Sequence, residues 1–255
     1  MRNDAGNIRK VLNDGGQSSF AIHRSVLPID ERVLYSDNHV IIVNKNAGEI
    51  VQGDKTGDIP LGEYVKDYLK EKFDKPGNVF LGVVHRLDRP VSGVVLFART
   101  SKALSRLSEM FRTRDVRKIY WAIVTAPPKN PQGTLTHWLT RDEKNNRARA
   151  YDREVPNSKK AVLDYRLLAS GDRYWLLEVE LHTGRHHQIR CQLSKMGCAI
   201  KGDLKYGAAR SNPNGSISLH ARHLMFTHPV SKVEVDVVAP VPTDKLWNYF
   251  EETVG

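Results

Sequence analysis

Hydrophobic residues along this chain occur in short runs that glycine, proline and charged residues interrupt. Two such runs, at residues 81–84 and 94–98, flank a charged segment that contains proline and glycine. Short apolar runs with these boundaries are typical of buried strands. We therefore predict that the segment between them is a loop held by two core strands, a common setting for catalytic groups.

The same pattern predicts further strands and a few helices. Strands are expected at residues 33–35, 40–43, 120–124, 135–139, 161–168, 175–181 and 233–238. Helices are expected at residues 61–72, 102–112 and 186–195. Helical spacing puts Leu104, Leu107 and Phe111 on one face of the second helix, and turns Ile189, Leu193 and Met196 of the third toward the core. Many strands with few helices between them indicate an α+β fold with a mixed, largely antiparallel sheet and peripheral helices.

The domain organisation predicted from the sequence is simple. Residues 1–27 are mostly polar and include a Gly- and Ser-rich stretch, so we expect an N-terminal tail or short arm. We expect residues 28–255 to form one domain, since a chain of this length can bury a substantial core.

Composition indicates what kind of partner the protein binds and in which cellular compartment it is found. The formal net charge is +10 at pH 7 and the pI is about 9.6. This surplus suits a polyanionic partner, while a merely basic soluble protein is the alternative. Two cysteines, Cys191 and Cys198, make no disulfide framework and indicate a reducing compartment. No apolar run has the length of a membrane span and the N-terminus lacks a signal-peptide core, so we expect a cytoplasmic protein.

The charged loop offers a candidate carboxylate. Asp88 lies between Arg86 and Arg89 in the sequence, and nearby cations favour the ionised form of a carboxyl group. The alternative is an exposed turn with a surface Asp–Arg pair, which contributes little to stability.

A second unusual segment spans residues 181–207. Thr183 is a candidate helix cap, and Arg185 and Arg190 lie near the start of the predicted helix. A solvated helix face is the alternative for the two arginines. The neighbouring histidines at 182, 186 and 187 raise the alternative of a metal site, but no clear ligand set accompanies them, so we expect none.

Several sequence motifs follow one another in a characteristic order. The loop reads H-R-L-D-R-P-V-S-G at 85–93, and the second segment reads T-G-R-H-H-Q-I-R at 183–190 and G-D-L-K-Y-G at 202–207. Further motifs are N-K-N-A-G at 44–48, K-I-Y at 118–120 and L-H-A-R-H-L at 219–224. In these motifs the chain resembles the RluA-type pseudouridine synthases over about residues 33–238. Asn46, Val91 and Ala199 depart from the family pattern, but none of the three changes removes a group that does chemistry.

The resemblance implies an enzyme that isomerises specific uridines in ribosomal or transfer RNA. It implies a monomer with a central RNA-binding cleft and no need for a cofactor or metal. Asp88 corresponds to the catalytic carboxylate, Arg190 to its ionic partner, and Tyr120 to the ring that packs against the target uracil and assists proton transfer. Arg86 would fill the space left by the extruded nucleotide, because a stacked base cannot be reached in place. The other residues assigned to substrate binding are His85, Arg185 and His187.

Residues 140–160 are rich in basic side chains diluted by acidic ones. The basic residues are Arg141, Lys144, Arg147, Arg149, Arg153, Lys159 and Lys160. We expect a solvated hairpin, since charged residues are mostly exposed, and an RNA-contacting arm is the alternative.

Two other functions stay open at this point. One is a hydrolase that uses Asp88 with nearby histidines, which metal dependence would favour. The other is a non-catalytic RNA-binding protein, which RNA affinity without product would favour.

Overall fold

The computed structural model describes residues 27–54 and 56–255. Its strands are β1 (Val33–Ser36), β2 (Val40–Lys45), β3 (Gly82–Val83), β4 (Ser92–Ala98), β5 (Val116–Val124), β6 (Gln132–Asp142), β7 (Arg147–Tyr151), β8 (Lys159–Ser170), β9 (Trp175–Leu181), β10 (Leu219–Thr227) and β11 (Glu234–Val238). Its helices are α1 (Ile29–Arg32), α2 (Leu61–Lys72), α3 (Ser101–Thr113), α4 (Gln188–Lys195) and α5 (Lys245–Val254), with a 3₁₀ turn at Leu204–Tyr206. The predicted N-terminal tail, apart from its last residue, lies outside the described residues.

The strands of the described chain form one sheet in the order β1-β2-β4-β10-β5-β9-β8-β6-β7, with β3 added on β4 and β11 on β10. Neighbouring strands are antiparallel except β4 and β10, which run parallel where Ser92 and Gly93 pair with His220 and Ala221. The predicted mixed, largely antiparallel α+β fold is therefore confirmed.

Alternating side chains along β2 and β4 build a core on each face of this part of the sheet. On one face, Ile41 and Phe97 pack in a cluster that includes Leu61, Val65 and Leu69 of α2. These three leucine and valine positions recur every four residues, which places them on one side of the helix. On the other face the cluster of β2 and β4 side chains includes Ala103 and Leu107 of α3. The α2 face of the core continues into the charged loop and α4 through buried residues of both segments, namely Leu87, Val91, Ile189 and Leu193.

The elements predicted from hydrophobic periodicity are confirmed, with small shifts in their ends. The third predicted helix begins at Gln188 because His187 adopts a left-handed backbone conformation, with φ of 52°. The predicted capping role of Thr183 is wrong. Its hydroxyl donates to Gln188 Oε1 at 2.8 Å and accepts from the Val162 backbone N–H at 2.9 Å, so it joins the helix start to β8 instead.

One glycine fixes where the charged loop ends. Gly93 has φ of 115°, and a Cβ atom at this position would lie 2.3 Å from the carbonyl oxygen of Ala221. Only glycine allows both this conformation and this close approach of β4 to β10. The short parallel pair therefore requires the glycine that closes the 85–93 motif.

Within residues 27–54 and 56–255, no helix combines the length and the apolar character that crossing a bilayer requires.

Candidate active site

A cleft of about 1080 Å³ opens where the charged loop, β5 and the segment before α4 meet. All seven site residues predicted from the sequence line it, namely His85, Arg86, Asp88, Tyr120, Arg185, His187 and Arg190. The structure thus brings together side chains that are up to about a hundred residues apart in the chain.

A buried lysine at the end of β2 fixes the loop that carries Asp88. Lys45, at the end of β2, donates from Nζ to the carbonyl oxygens of Val91 at 2.6 Å, Asn46 at 3.1 Å and Arg89 at 3.2 Å. Its side chain is fully buried, and this burial lowers the pKa of Lys45 to about 7. The backbone from Asp88 to Val91 is therefore tied to the end of β2.

Asp88 forms an ion pair with Arg190, as the resemblance implied. Arg190 Nη1 lies 3.0 Å from Asp88 Oδ2. On its other edge the same guanidinium donates from Nε and Nη2 to both carboxylate oxygens of Asp203, at 2.7 and 2.8 Å. Arg190 and Asp203 are 5% and 1% exposed, whereas the Asp88 side chain is 30% exposed. Asp203 therefore fixes Arg190, and Arg190 presents Asp88 at the cleft surface.

The two arginines that flank Asp88 in the sequence do not hold it. Arg89 turns away and pairs with Asp54 and Asp58. Arg86 is exposed at the cleft and donates to Gln52 Oε1 at 3.3 Å. The partners of the Asp88 carboxylate instead come from the start of α4: Arg190, and His187 with its Nε2 3.4 Å from Oδ2.

His187 is a buried, neutral imidazole. Its Nδ1 lies 2.9 Å from the hydroxyl of Tyr206, and its ring stacks on His186 at 3.8 Å between centroids. Burial, with Arg190 as the next contribution, lowers the pKa of His187 to about 2. At neutral pH this side chain therefore adds no positive charge next to Asp88.

Tyr120, in the middle of β5, lines the cleft with a largely buried ring. Its hydroxyl makes no hydrogen bond to any residue that the structure describes. Burial and the nearby Asp88 raise the pKa of Tyr120 well above its usual value of 10, so the phenol stays protonated at neutral pH. It can donate a hydrogen bond or pack against a ring, but it is not ready to accept a proton as a phenolate.

His85 and Arg185 lie at the cleft with protein partners of their own. His85 Nε2 accepts from the Leu96 backbone N–H at 3.0 Å, and its ring stacks on Phe111 with centroids 4.9 Å apart. Burial lowers the pKa of His85 to about 3. Arg185 Nε donates to the carbonyl oxygen of Lys160 at 3.0 Å, which ties the segment before α4 to β8.

The basic segment at 140–160 does form a hairpin, from β6 and β7. Lys144, Arg147 and Arg149 are exposed on it, and Arg141 reaches the cleft wall together with Lys205.

No three His, Cys, Asp or Glu side chains of the described ranges converge as a metal site. Cys191 and Cys198 are free and buried, and burial raises the pKa of the Cys191 thiol to about 11.

Sequence reasoning assigned no site role to Lys45, Asp203 and Tyr206. All three belong to motifs that it did recognise, at 44–48 and 202–207. The two motifs were therefore a sequence signal for these residues. Their contacts, however, depend on tertiary packing that no local pattern encodes.

A carboxylate held by a buried arginine faces a cleft, in a protein of high positive charge. These are features of an enzyme that acts on a polyanion, because positive charge attracts such a substrate.

Comparison with known proteins then identifies the family. The model of the RNA pseudouridylate synthase family matches residues 39–195. A protein of Chlorobaculum parvum named as an uncharacterized RNA pseudouridine synthase is 33% identical over 234 residues, which cover 83% of this chain and 71% of that protein. Ribosomal large subunit pseudouridine synthase D of Xylella fastidiosa is 35% identical over 231 residues, covering 86% of this chain and 67% of the relative. The structure of human RNA pseudouridylate synthase domain containing 4 has the same fold, with a TM-score of 0.71, 24% identity, and coverage of 89% of this chain and 94% of that one.

The chain belongs to the RluA-type RNA pseudouridine synthase family. It is an isomerase that forms pseudouridine in RNA. Membership of this family favours the isomerase over the hydrolase and over the non-catalytic RNA-binding protein.

Proposed function

We propose that this enzyme isomerises specific uridines of ribosomal RNA, with Asp88 as its catalytic carboxylate and residues 28–255 as its catalytic domain. The ion pair between Asp88 and Arg190, 3.0 Å apart in the cleft, is the observation that carries the assignment of Asp88. Ribosomal RNA is favoured over transfer RNA by the name of the relative from Xylella fastidiosa. The enzyme acts as a monomer in the cytoplasm and needs no cofactor.

The reaction sets the requirements that Asp88 meets. The bond between N1 of uracil and C1′ of ribose breaks, the uracil turns, and C5 joins C1′; C5 loses a proton and N1 gains one. An ionised carboxylate acts at the sugar or at the base during this exchange. Asp88 is suited to the role because it is partly exposed to the cleft while its Oδ2 is held by Arg190.

The remaining predicted residues have distinct roles in this proposal. Tyr120 packs against the target uracil, and its protonated hydroxyl donates a hydrogen bond to the base, through which it assists proton transfer. Arg86, which is exposed at the cleft, enters the space that the flipped nucleotide leaves in the RNA. His187 and Arg185 contribute to the wall that receives the nucleotide, and His85 supports that wall through its contacts with Leu96 and Phe111.

The first test is substitution of Asp88 by asparagine, which keeps the shape and removes the charge. We expect pseudouridine formation to be lost while the fold and RNA affinity are nearly retained. The matched control is Glu63→Gln, which removes a carboxylate from the exposed face of α2, away from the cleft. Turnover by Asp88→Asn within about tenfold of the wild type, or about 1.4 kcal/mol of barrier, would contradict the catalytic assignment.

The second test identifies the RNA. Pseudouridines are mapped in ribosomal and transfer RNA from cells with and without the gene, and from deletion cells that carry the Asp88→Asn enzyme. We expect one or a few ribosomal positions to lose the modification in both deficient strains. Loss at transfer RNA positions alone would overturn the choice of ribosomal RNA and leave the role of Asp88 standing.

A further inference from the structure

Two hydrogen bonds converge on the buried hydroxyl of Tyr206, behind the wall of the cleft. The backbone N–H of Ala148 in β7 donates to this oxygen at 2.7 Å. The Nδ1 atom of His187 lies 2.9 Å from the same oxygen. Tyr206 is 4% exposed, and Arg190 covers its ring with the guanidinium carbon 5.0 Å from the ring centroid. The hydroxyl therefore joins β7 to the residue that precedes α4.

These contacts fix the tautomer of His187. An amide N–H can only donate, so the Tyr206 oxygen accepts from Ala148 and retains one proton to donate. The only acceptor that the described residues offer to that proton is His187 Nδ1. A neutral imidazole that accepts at Nδ1 carries its own proton on Nε2. The reverse tautomer would leave the buried Tyr206 proton without an acceptor, which is costly.

The tautomer matters because His187 Nε2 faces the catalytic carboxylate. Nε2 is 3.4 Å from Asp88 Oδ2, the same oxygen that Arg190 contacts. A proton on Nε2 turns the positive end of the N–H dipole toward that oxygen, whereas a lone pair there would repel it. Arg190 thus donates a hydrogen bond to Oδ2 and His187 Nε2 faces the same oxygen, while Asp88 Oδ1 receives no hydrogen bond from the described part of the chain. Oδ1 is consequently the oxygen left for the substrate.

We propose that Tyr206 is a positioning residue for the isomerisation, and that its hydroxyl sets the His187 tautomer whose Nε2–H dipole faces Oδ2 of Asp88 and stabilises the negative charge of that oxygen. The proposal rests on Asp88 being the catalytic carboxylate. The neutrality of His187 agrees with it, since burial and Arg190 keep the pKa of this imidazole far below neutral. Tyr206 acts through His187 and not on the substrate.

The direct test is nitrogen NMR of the protein labelled with ¹⁵N-histidine, which separates the Nδ1–H and Nε2–H tautomers. The signal of His187 is assigned by its loss in His187→Gln. We expect the Nε2–H tautomer in the wild type at pH 7, and a mixture or the Nδ1–H tautomer in Tyr206→Phe. An Nδ1–H tautomer or a doubly protonated ring in the wild type would overturn the proposal. This result does not depend on turnover, so it stands apart from the Asp88→Asn test.

Kinetics of Tyr206→Phe provide the second measurement. We expect kcat to fall about tenfold, or about 1.4 kcal/mol of barrier, while KM changes by no more than about twofold. The matched control is Tyr165→Phe. Tyr165 lies in β8, outside the cleft, and its hydroxyl donates to the Asn130 carbonyl oxygen at 3.3 Å. Equal kcat values for Tyr206→Phe and the wild type would contradict the positioning role.

Substitution of His187 keeps the proposal testable even if Tyr206→Phe does not fold. A glutamine amide reaches the Nε2 position toward Asp88, whereas asparagine reaches only the Nδ1 position toward Tyr206. We expect His187→Gln to be at least about fivefold more active than His187→Asn. Adding Tyr206→Phe to His187→Gln should cost about twofold or less, since the tautomer no longer exists to be set. Equal activity of the Gln and Asn variants, or a full further loss in the double variant, would show that the tautomer is not what Tyr206 controls.

Discussion

At the scale of single residues, the site depends on one arginine that forms ion pairs with two carboxylates. Arg190 contacts Asp88 with one edge and both oxygens of Asp203 with the other. Asp203 is almost fully buried and has no other cation within ion-pair distance among the residues that the structure describes. Its charge is acceptable there only because Arg190 compensates for it.

Replacing Arg190 by alanine should therefore reduce activity and stability together. Loss of one member of a buried ion pair costs about 3–5 kcal/mol, which for a chain of this size lowers Tm by roughly 6–20 °C. Thermal unfolding and pseudouridine formation are measured on the same preparation. The control is Arg166→Ala, which breaks an exposed pair with Glu178 and should cost about 1 kcal/mol or less. A normal Tm for Arg190→Ala would mean that Asp203 does not depend on this arginine.

Part of this site could be predicted from the sequence and part could not. The motifs predicted which side chains line the cleft, including the pair of Asp88 and Arg190 across 102 positions. The two arginines next to Asp88 in the sequence, which we expected to favour its ionised form, have other partners, because adjacent side chains in a loop point in different directions. Arg89 instead pairs with Asp58 and Asp54, which lie 31 and 35 positions earlier in the chain.

At the scale of elements, the position of the charged loop is set by the short parallel contact of β4 and β10. Gly93 lies at this contact with φ of 115° and with the Ala221 backbone directly against it. A side chain here would push β4 away from β10 and displace the charged loop that ends just before β4 begins at Ser92.

We expect Gly93→Ala to be strongly destabilising and inactive. The matched control is Gly77→Ala, where φ is also positive, at 78°, but a new Cβ would meet nothing within 4 Å. The control should lose only the conformational term of about 1–2 kcal/mol, while Gly93→Ala should lose about 1–3 kcal/mol more from overpacking. Denaturant unfolding of both variants measures the difference. Equal losses would show that the contact with Ala221 relaxes easily.

Elements with strong periodicity were predictable, and those shaped by the sheet were not. The apolar runs of β2 and β4, the alternating end of β9 and the amphipathic α2 and α3 follow directly from residue pattern. Strand β10 was not predicted, because its polar His220 is buried through partners elsewhere in the fold: the Ser92 hydroxyl, 2.9 Å from Nδ1, and the Ala239 carbonyl oxygen, 3.4 Å from Nε2. Helix α5 was missed although its signal is local: Asp244 caps it through the N–H groups of Leu246 and Trp247.

At the scale of the whole molecule, the positive charge and the cleft have to be considered together. The net charge of +10 favours association with RNA through its phosphates, which confers affinity but little sequence preference. The choice of uridine would instead come from the shape of the RNA and from the flipped base in the cleft. The β6–β7 hairpin carries exposed cations beside the cleft and is a candidate for the phosphate contacts.

Replacing Lys144, Arg147 and Arg149 of this hairpin by glutamine tests its part in binding. If all three contact phosphates, the slope of log affinity against log salt should fall by roughly 0.7 for each lost contact on single-stranded RNA, while the modified uridine stays the same. The control replaces Lys70, Lys72 and Lys245, three exposed lysines outside the cleft wall, and removes the same charge.

Arg147 also lies over the Tyr206 ring, at 5.3 Å, so the pair of substitutions at 144 and 149 is measured separately to keep binding apart from turnover. A slope that falls equally in the hairpin and control variants would mean that general charge, and not this hairpin, attracts the RNA. An unchanged slope in both would return the hairpin to a solvated surface, with the roles of Asp88 and Arg190 unaffected.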